Sequence, residues 1–376
     1  MNLDMIRITE NQDEMISIAK EIVSIMPQKY TPKVMSMLRD TLESRLPSSS
    51  EKDIDDYLYI TIYHYWVYGC TVDEYFYYEF YNKTHNEKSK YMTLRVRWVY
   101  MNYLNKEEDS HLLFNKYETY QLLKEYYRRD VIMCRSIDDY PVFLDFITKH
   151  KEFVVKPSDL SGGRGVYKTD VIGLNEEEIR TFYLKLINEA KNTKEKYLKN
   201  TDCSIVIEEL IEQDDSLAVF NPESVNGVRL PTVTIDGKTH FYQPWLKIGR
   251  GGNFLTSAVF GTMDAGIDAQ TGIIDTPGMN ESGEVWSVHP DSGINIVGFK
   301  IPHWQQLLDL AQECASLLPQ FRYIGWDFVL SKKGWCIMEA NYSGDFMWQL
   351  YRNKGMKKEF EDLIGWKMNK EFWWQE

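Results

Sequence analysis

The chain has five cysteines, Cys70, Cys134, Cys203, Cys314 and Cys336, and no C-x-x-C pair among its 376 residues. An odd, widely spaced set suggests neither a disulfide framework nor a zinc site and fits a reducing compartment. Long apolar runs are also missing. The longest, Tyr57 to Cys70, is tyrosine-rich, is interrupted by His64 and falls short of the roughly 20 residues that span a bilayer. The opening MNLDMIRITENQDEM carries acids where an export signal needs a basic start and an apolar run, so a cytoplasmic location is expected. Basic residues are the scarcer sign of charge. The 43 Lys and Arg against 56 Asp and Glu leave a formal charge of −13, which argues against a bulk nucleic-acid binder but leaves room for a local basic groove. There is no repeat, no low-complexity tract and no Ser-His-Asp or Cys-His motif. Neither G-x-x-x-x-G-K-S/T nor G-x-G-x-x-G occurs, so P-loop and Rossmann phosphate sites are excluded.

What is present is the composition of a globular protein, 43% hydrophobic and 26% charged, with a length that suggests two or three packed units. From Met1 to about Asn105, apolar residues recur at helical spacing, as in Met15-Ile16-Ile18-Ala19-Ile22-Val23 and Tyr91-Leu94-Val96-Val99-Tyr100. Ser50 is a candidate N-cap for a helix starting at Glu51. The aromatic run Tyr75 to Tyr81 reads as helix packing with polar tyrosine tips, and a sugar-recognition surface is the alternative. After about Lys106, strands and helices alternate. Helices are expected over Tyr117 to Tyr127, Pro141 to Lys149, Glu176 to Asn200 and Trp304 to Leu318, and strands over Asp130 to Arg135, Phe153 to Lys156 and Ser204 to Glu208. The pattern is α+β.

Three constellations carry chemistry. The first is Ile324-Gly-Trp-Asp327-Phe-Val-Leu330, a loop Ser-Lys-Lys-Gly334, then Trp335-Cys-Ile-Met-Glu339-Ala-Asn341, an antiparallel hairpin. With Leu330 set opposite Cys336, Asp327 falls opposite Glu339 and Gly325 opposite Asn341. Period two then places Asp327, Glu339 and Asn341 on one face and Trp326, Phe328 and Met338 on the other. Facing carboxylates repel unless a positive charge sits between them, and Mg²⁺ with oxygen ligands from both acids and the amide would supply it. The second is the strand Phe153-Val-Val-Lys156-Pro157 followed by Ser161-Gly162-Gly163-Arg164-Gly165. It sets a fixed cation beside a loop whose N–H groups can cover phosphates. The third is Val206-Ile207-Glu208-Glu209-Leu210-Ile211 running into Asp214 and Asp215, where backbone could meet an adenine edge and an acid could hold ribose.

In this order the three elements resemble the ATP-grasp superfamily. Asn226-Gly-Val-Arg229, Lys247-Ile-Gly-Arg-Gly-Gly252, His289-Pro-Asp-Ser-Gly293, Gly298-Phe-Lys-Ile-Pro302 and Gly325-Trp-Asp327 further resemble the sugar-transfer-associated ATP-grasp proteins of bacterial polysaccharide clusters. The resemblance implies an ATP-grasp fold of two α+β subdomains gripping ATP, over 106–203 and 204–366, after a helical domain at 1–105 and before a tail at 367–376. It implies ATP contacts from Lys116, Lys156, the flap Ser161, Gly162, Gly163, Arg164 and Gly165, from Glu208, Glu209 and Ile211, and from Asp215 or Asp214 at the ribose. Mg²⁺ would bind Asp327, Glu339 and Asn341, and Arg229 and Lys247 would be catalytic. The implied activity is ATP-dependent carboxylate–amine ligation through an acyl phosphate. It would join an amino acid or amine to a uronic acid or sugar-linked carboxylate, alongside polysaccharide-assembly enzymes. A sugar kinase and a non-catalytic ATP-binding scaffold are the alternatives.

Overall fold

A computed structural model describes residues 3, 5–29, 31–160, 162–198, 204–254, 256, 261–343 and 348–375. Ser161 of the expected flap, Cys203 and the last two residues of the helix expected to reach Asn200 lie outside them. The chain divides into two compact units, Met1–Tyr103 with Phe346–Glu376, and Leu104–Asp345.

The first unit is helical, with α1 (Gln12–Ile25), α2 (Thr31–Arg45), α3 (Glu51–Tyr68), α4 (Val72–Tyr77), α5 (His85–Lys88) and most of α6 (Leu94–Leu104). Capping boxes start three of these. Ser50 pairs with Asp53, Thr71 with Glu74 and Thr84 with Glu87, each hydroxyl and carboxylate satisfying the other residue's N–H. Gly69, at φ 67°, ends α3, where an added Cβ would stand 2.7 Å from the Arg95 Cβ. Ile18, Ala19 and Ile22 of α1 bury against Leu58, Ile62 and Tyr63 of α3. The aromatic run is mostly packing, with Tyr75, Tyr78 and Phe80 buried and Tyr81 46% exposed.

The second unit carries α7 (His111–Phe114), α8 (Lys116–Tyr127), α9 (Tyr140–Lys149), α10 (Glu176–Leu198), α11 (Asp215–Ala218), α12 (Trp304–Ser316) and two antiparallel sheets. The four-stranded sheet runs β1 (Val131–Cys134), β4 (Ile205–Glu209), β2 (Glu152–Pro157), β3 (Tyr167–Asp170). β4, which a boundary at 203/204 assigns to the later subdomain, thus pairs with β1 and β2. Alternation divides the sheet's faces. Phe153, Val155, Ile205 and Ile207 pack against Phe143, Phe146 and Ile147 of α9 and Tyr183 and Leu186 of α10. Lys156 and Glu208 therefore share the opposite face.

The eight-stranded sheet contains β5 (Gly227–Ile235), β6 (Lys238–Phe241), β7 (Trp245–Ile248), β8 (Met263–Gly266), β9 (Gly278–Met279), β10 (Val285–Trp286), β11 (Tyr323–Ser331) and β12 (Gly334–Asn341). The order is β10-β9-β8-β7-β5-β11-β12, with β6 pairing β5. β11 and β12 form the expected hairpin, and α12 packs on β5, β11 and β12.

The hairpin register differs from expectation at the turn. Ser331 pairs with Gly334, leaving only Lys332 and Lys333 in the turn, and Leu330 faces Trp335 instead of Cys336. A bulge at Met338 then restores Asp327 opposite Glu339 and Gly325 opposite Asn341. Met338 is consequently half-buried, whereas Trp326 and Phe328 are fully buried.

After residue 345 the chain packs with the first unit. It adds α13 (Trp348–Tyr351) and α14 (Lys357–Ile364). The Trp373 and Trp374 indoles donate to the Tyr65 and Trp66 carbonyls, each at 3.0 Å, and the buried Gln349 amide oxygen accepts from the Met92 N–H at 2.9 Å. No helix among the described residues is long and apolar enough to cross a membrane.

Candidate nucleotide and acyl-transfer site

On the larger sheet, β5 pairs with both β11 and β7, setting Arg229 opposite Asp327 and opposite Trp245. Period two adds Lys247, two residues beyond Trp245, and Asn341, two beyond Glu339. One sheet face thus presents Lys247, Arg229, Asp327, Glu339 and Asn341. Arg229 grips Asp327 in a two-pronged pair, Nε to Oδ1 at 2.6 Å and an Nη to Oδ2 at 3.0 Å. Lys247 Nζ lies 3.6 Å from Oδ1, and the Asn341 amide donates to Oδ2 at 3.3 Å and to the Gly325 carbonyl at 3.1 Å. Burial would raise the Asp327 carboxyl, but Arg229 and Lys247 hold it below its ordinary value. Glu339 is more open, with Lys116 Nζ 3.7 Å away.

The repulsion argument for a metal between the facing acids therefore changes, because side-chain cations already compensate both. The hard oxygen set still suits Mg²⁺ in kind. The Glu339 carboxylate and the Asn341 Oδ1, which has no partner among the described residues, are open to a cation, whereas the Asp327 oxygens are engaged. Asp130, His150 and Glu209 form a separate trio with ligand atoms within 4.8 Å of one another, but it is internally paired. His150 sits 2.9 Å from Asp130, and Lys333 sits 2.7 Å from Glu209.

Asn115 explains how Lys116 is aimed. Its side chain caps α8, accepting from the Tyr117 and Glu118 N–H groups, and the Lys116 N–H donates to the Ser158 carbonyl at 2.8 Å. The Lys116 ammonium reaches the Leu160 carbonyl as well as Glu339.

Lys156, the cation expected at the end of its strand, is 13% exposed and lies 2.8 Å from Glu208. Glu208 also accepts from Arg129 Nε at 2.8 Å. Burial alone would raise Glu208, but Arg129 and Lys156 outweigh it and pull the carboxyl down to about 2. Burial in turn lowers Lys156, against the opposing charge of Glu208. Arg129 was not singled out from the sequence. Its other prongs donate to the carbonyls of Tyr127 and Ile337, the latter at 2.6 Å, beside the bulge that sets Glu339. The left-handed Arg128, φ 51°, ends α8 just before Arg129 and turns it inward.

Glu209 points to the other side, paired with Lys333 and accepting the Asp130 N–H at 3.0 Å. Ile211 follows β4 outside any strand, and no hydrogen bond among the described residues uses its N–H or carbonyl. Asp214 caps α11 through Ser216, whereas Asp215 is exposed beside Lys332 at 2.6 Å. Gly162, Gly163 and Gly165 all have positive φ, and a Cβ on Gly165 would stand 2.8 Å from the Pro157 Cγ.

The remaining motifs fix loops. His289 Nε2 contacts the Gly249 carbonyl at 3.0 Å, and Asp291 holds Arg250 and the Gly251 N–H. Asn105 is buried and binds both hairpin strands, donating to the carbonyls of Tyr323 and Tyr342 and accepting from the Tyr323 N–H.

A lysine strand, a glycine loop and an acid-bearing hairpin carried on two antiparallel sheets are the parts of an ATP-grasp fold. A family model described as sugar-transfer associated ATP-grasp matches residues 95–363, and the chain belongs to that family. No curated protein matches it. Among solved structures it is similar to D-alanyl-alanine synthetase A from Vibrio cholerae O1 biovar eltor, at 12% identity over 70% of this chain and 64% of that one, TM-score 0.40. D-alanine-D-alanine ligase from Helicobacter pylori gives 15% identity over 71% and 62%, TM-score 0.40. The biotin carboxylase domain of Hydrogenobacter thermophilus 2-oxoglutarate carboxylase, solved with MgADP, ADP and bicarbonate, gives 13% identity over 69% and 47%, TM-score 0.42. The chain thus spans less than two thirds of each of these three.

Proposed function

We propose that the protein is an ATP-dependent carboxylate–amine ligase that joins an amino acid or amine to a uronic acid or other sugar-linked carboxylate in polysaccharide assembly, working through an acyl phosphate. The observation that carries this reading is the charge balance of one polar cluster. Among the described residues, Arg129, Lys156, Lys116, Arg229 and Lys247 pair with Glu208, Asp327 and Glu339, five cations to three carboxylates. In a chain of net charge −13, a partly buried cluster with cations in excess is an electrostatic complement to a polyphosphate.

In this reading Lys156 and the glycine loop hold the phosphates, and the open backbone at Ile211 meets adenine with Asp215 near the ribose. Arg229 and Lys247 face the phosphoryl group in transfer. A divalent cation held by Glu339, Asn341 and Asp327 would neutralise charge on the phosphate oxygens. Lys116 and Lys247, now paired with Glu339 and Asp327, would exchange those carboxylates for phosphate oxygens. A substrate carboxylate oxygen attacks the γ-phosphorus and ADP leaves. The amine then attacks the acyl carbon, phosphate leaves with the bonding pair, and the amine proton passes to solvent. The chain needs no nucleophile of its own, in keeping with the absence of Ser-His-Asp and Cys-His motifs.

The test is a phosphate-release screen with ATP, Mg²⁺, amino acids and uronic acids. Release that requires both an acid and an amine supports ligation. A phosphorylated sugar as the final product identifies a kinase instead.

A further inference from the structure

The helical unit carries a half-open pocket of about 280 Å³ that shares no residue with the cluster around Asp327. His64 of α3 lines it. Its Nδ1 lies 2.8 Å from the Ile60 carbonyl, and a carbonyl only accepts, so Nδ1 carries the proton and Nε2 keeps a bare lone pair. His64 is 1% exposed, and Nε2 has no hydrogen-bond partner among the described residues. Burial and the charge of Lys88 lower its pKa to about 3, so the lone pair persists at neutral pH. The cavity therefore contains a buried acceptor that lacks a donor.

Lys88 of α5 also lines the cavity. It is buried, lies 5.8 Å from the Tyr68 ring centroid and has no ion-pair partner among the described residues. Lys83 is a second lining ammonium and Glu10 the one lining carboxylate, which leaves one positive charge in excess. The half-exposed Tyr81 supplies an aromatic face, and the buried Tyr75 ring packs against it at 6.1 Å. A trapped water would satisfy Nε2, but Glu10, whose charge reaches Lys88 from beyond ion-pair distance, balances only one of the two lining ammonium groups.

We propose that this cavity is a ligand site for a hydroxylated ring bearing one carboxylate, the uronic-acid class of sugar. A ring hydroxyl donates to His64 Nε2, the carboxylate pairs with Lys88, and the C–H face of the ring lies on Tyr81. The volume sits just under the ~300 Å³ at which drug-sized pockets begin, which suits a single ring.

The experiment is calorimetric titration of the full chain, without nucleotide, using D-glucuronate and D-glucose. Glucuronate is expected to bind, and glucose to bind weaker by roughly 10-fold or more, the loss that follows from removing a charge-assisted contact. Lys88→Met and Tyr81→Ala are each expected to weaken glucuronate binding by roughly 10-fold while ATP titrations of the same variants stay unchanged. Tyr81 is half-exposed, so its variant tests the site even if Lys88→Met does not fold. Absence of glucuronate binding at millimolar concentration, equal affinity for glucose, or binding that survives both substitutions overturns the inference. Binding lost in Lys247→Met but retained in Lys88→Met would place the sugar at the nucleotide cluster, overturning this inference and leaving the ligase reading intact.

Discussion

Arg229 and Asp327 face each other across neighbouring strands and close a two-pronged ion pair at 2.6 and 3.0 Å, with side-chain exposures of 6% and 12%. A nearly dry guanidinium beside a nearly dry carboxylate makes each dependent on the other. Lys247 and Asn341 add to the same carboxylate, so the acid expected to be a metal ligand is also a packing element of the sheet.

Asp327→Asn and Glu339→Gln should consequently behave differently. Facing-acid repulsion alone would make both variants fold as well as wild type. Because Asp327→Asn leaves Arg229 buried and uncompensated, it should lose about 3–5 kcal/mol of stability as well as activity. Glu339→Gln, on a half-exposed residue, should melt close to wild type yet lose turnover roughly 10²-fold. Thermal melts paired with saturating-ATP assays check this. Equal melting of the two variants would contradict the clamp, and wild-type turnover of Glu339→Gln would remove it from the site.

Glu208 gives a pH prediction. Its folded pKa, about 2, lies below the ordinary 4.5, so the native state binds that proton less readily than the unfolded chain. Its contribution is fully present above about pH 4.5 and is lost as the pH falls through about 2, and it is worth roughly 3 kcal/mol. Glu208→Gln should flatten the stability slope over that window. An unchanged slope in denaturant titrations from pH 5 to 2 would show that Glu208 is not held ionised by Arg129 and Lys156.

Lys156→Met should harm both stability and nucleotide affinity. A surface charge would be worth at most about 1 kcal/mol, but the observed Lys156–Glu208 contact is a buried charged hydrogen bond of about 1.5–3 kcal/mol. Glu208 keeps Arg129 in the variant, so folding should survive. Calorimetry with ATP and a thermal melt should both shift, and unchanged ATP affinity would make Lys156 structural only.

Trypsin cleavage after Arg164 should slow when ATP and Mg²⁺ are added. Gly162, Gly163 and Gly165 sit at positive φ, and the loop has glycines where apolar anchors would otherwise pack, so bound phosphate should be its main restraint. Equal cleavage rates with and without nucleotide would count against a phosphate-covering role.

The sequence made the hairpin legible because period two survives both irregularities in it. A tight Ser331–Gly334 turn shifts the register by one residue, and the bulge at Met338 shifts it back, so Asp327 meets Glu339 although Leu330 does not meet Cys336. Alternating hydrophobicity cannot reveal two cancelling shifts. Lys116, Arg229 and Lys247 were visible through family resemblance, but their pairing with Glu339 and Asp327 was not. Arg129 was invisible because it serves Glu208, 79 residues away, and the Ile337 carbonyl, 208 residues away, and no local pattern encodes such contacts. The packing of the segment after residue 345 was illegible for a related reason. Its tryptophans meet backbone carbonyls of α3, 308 residues earlier, and short apolar runs do not name their partners.

The central claim is that a substrate carboxylate, and not a hydroxyl, receives the phosphoryl group. The most direct measurement supplies the acid–amine pair found in the screen with its carboxylate labelled with heavy oxygen, and analyses the released phosphate by mass spectrometry. Ligation through an acyl phosphate transfers one labelled oxygen into phosphate at each turnover. Unlabelled phosphate accompanying amide formation, or label retained wholly in the sugar, would contradict it.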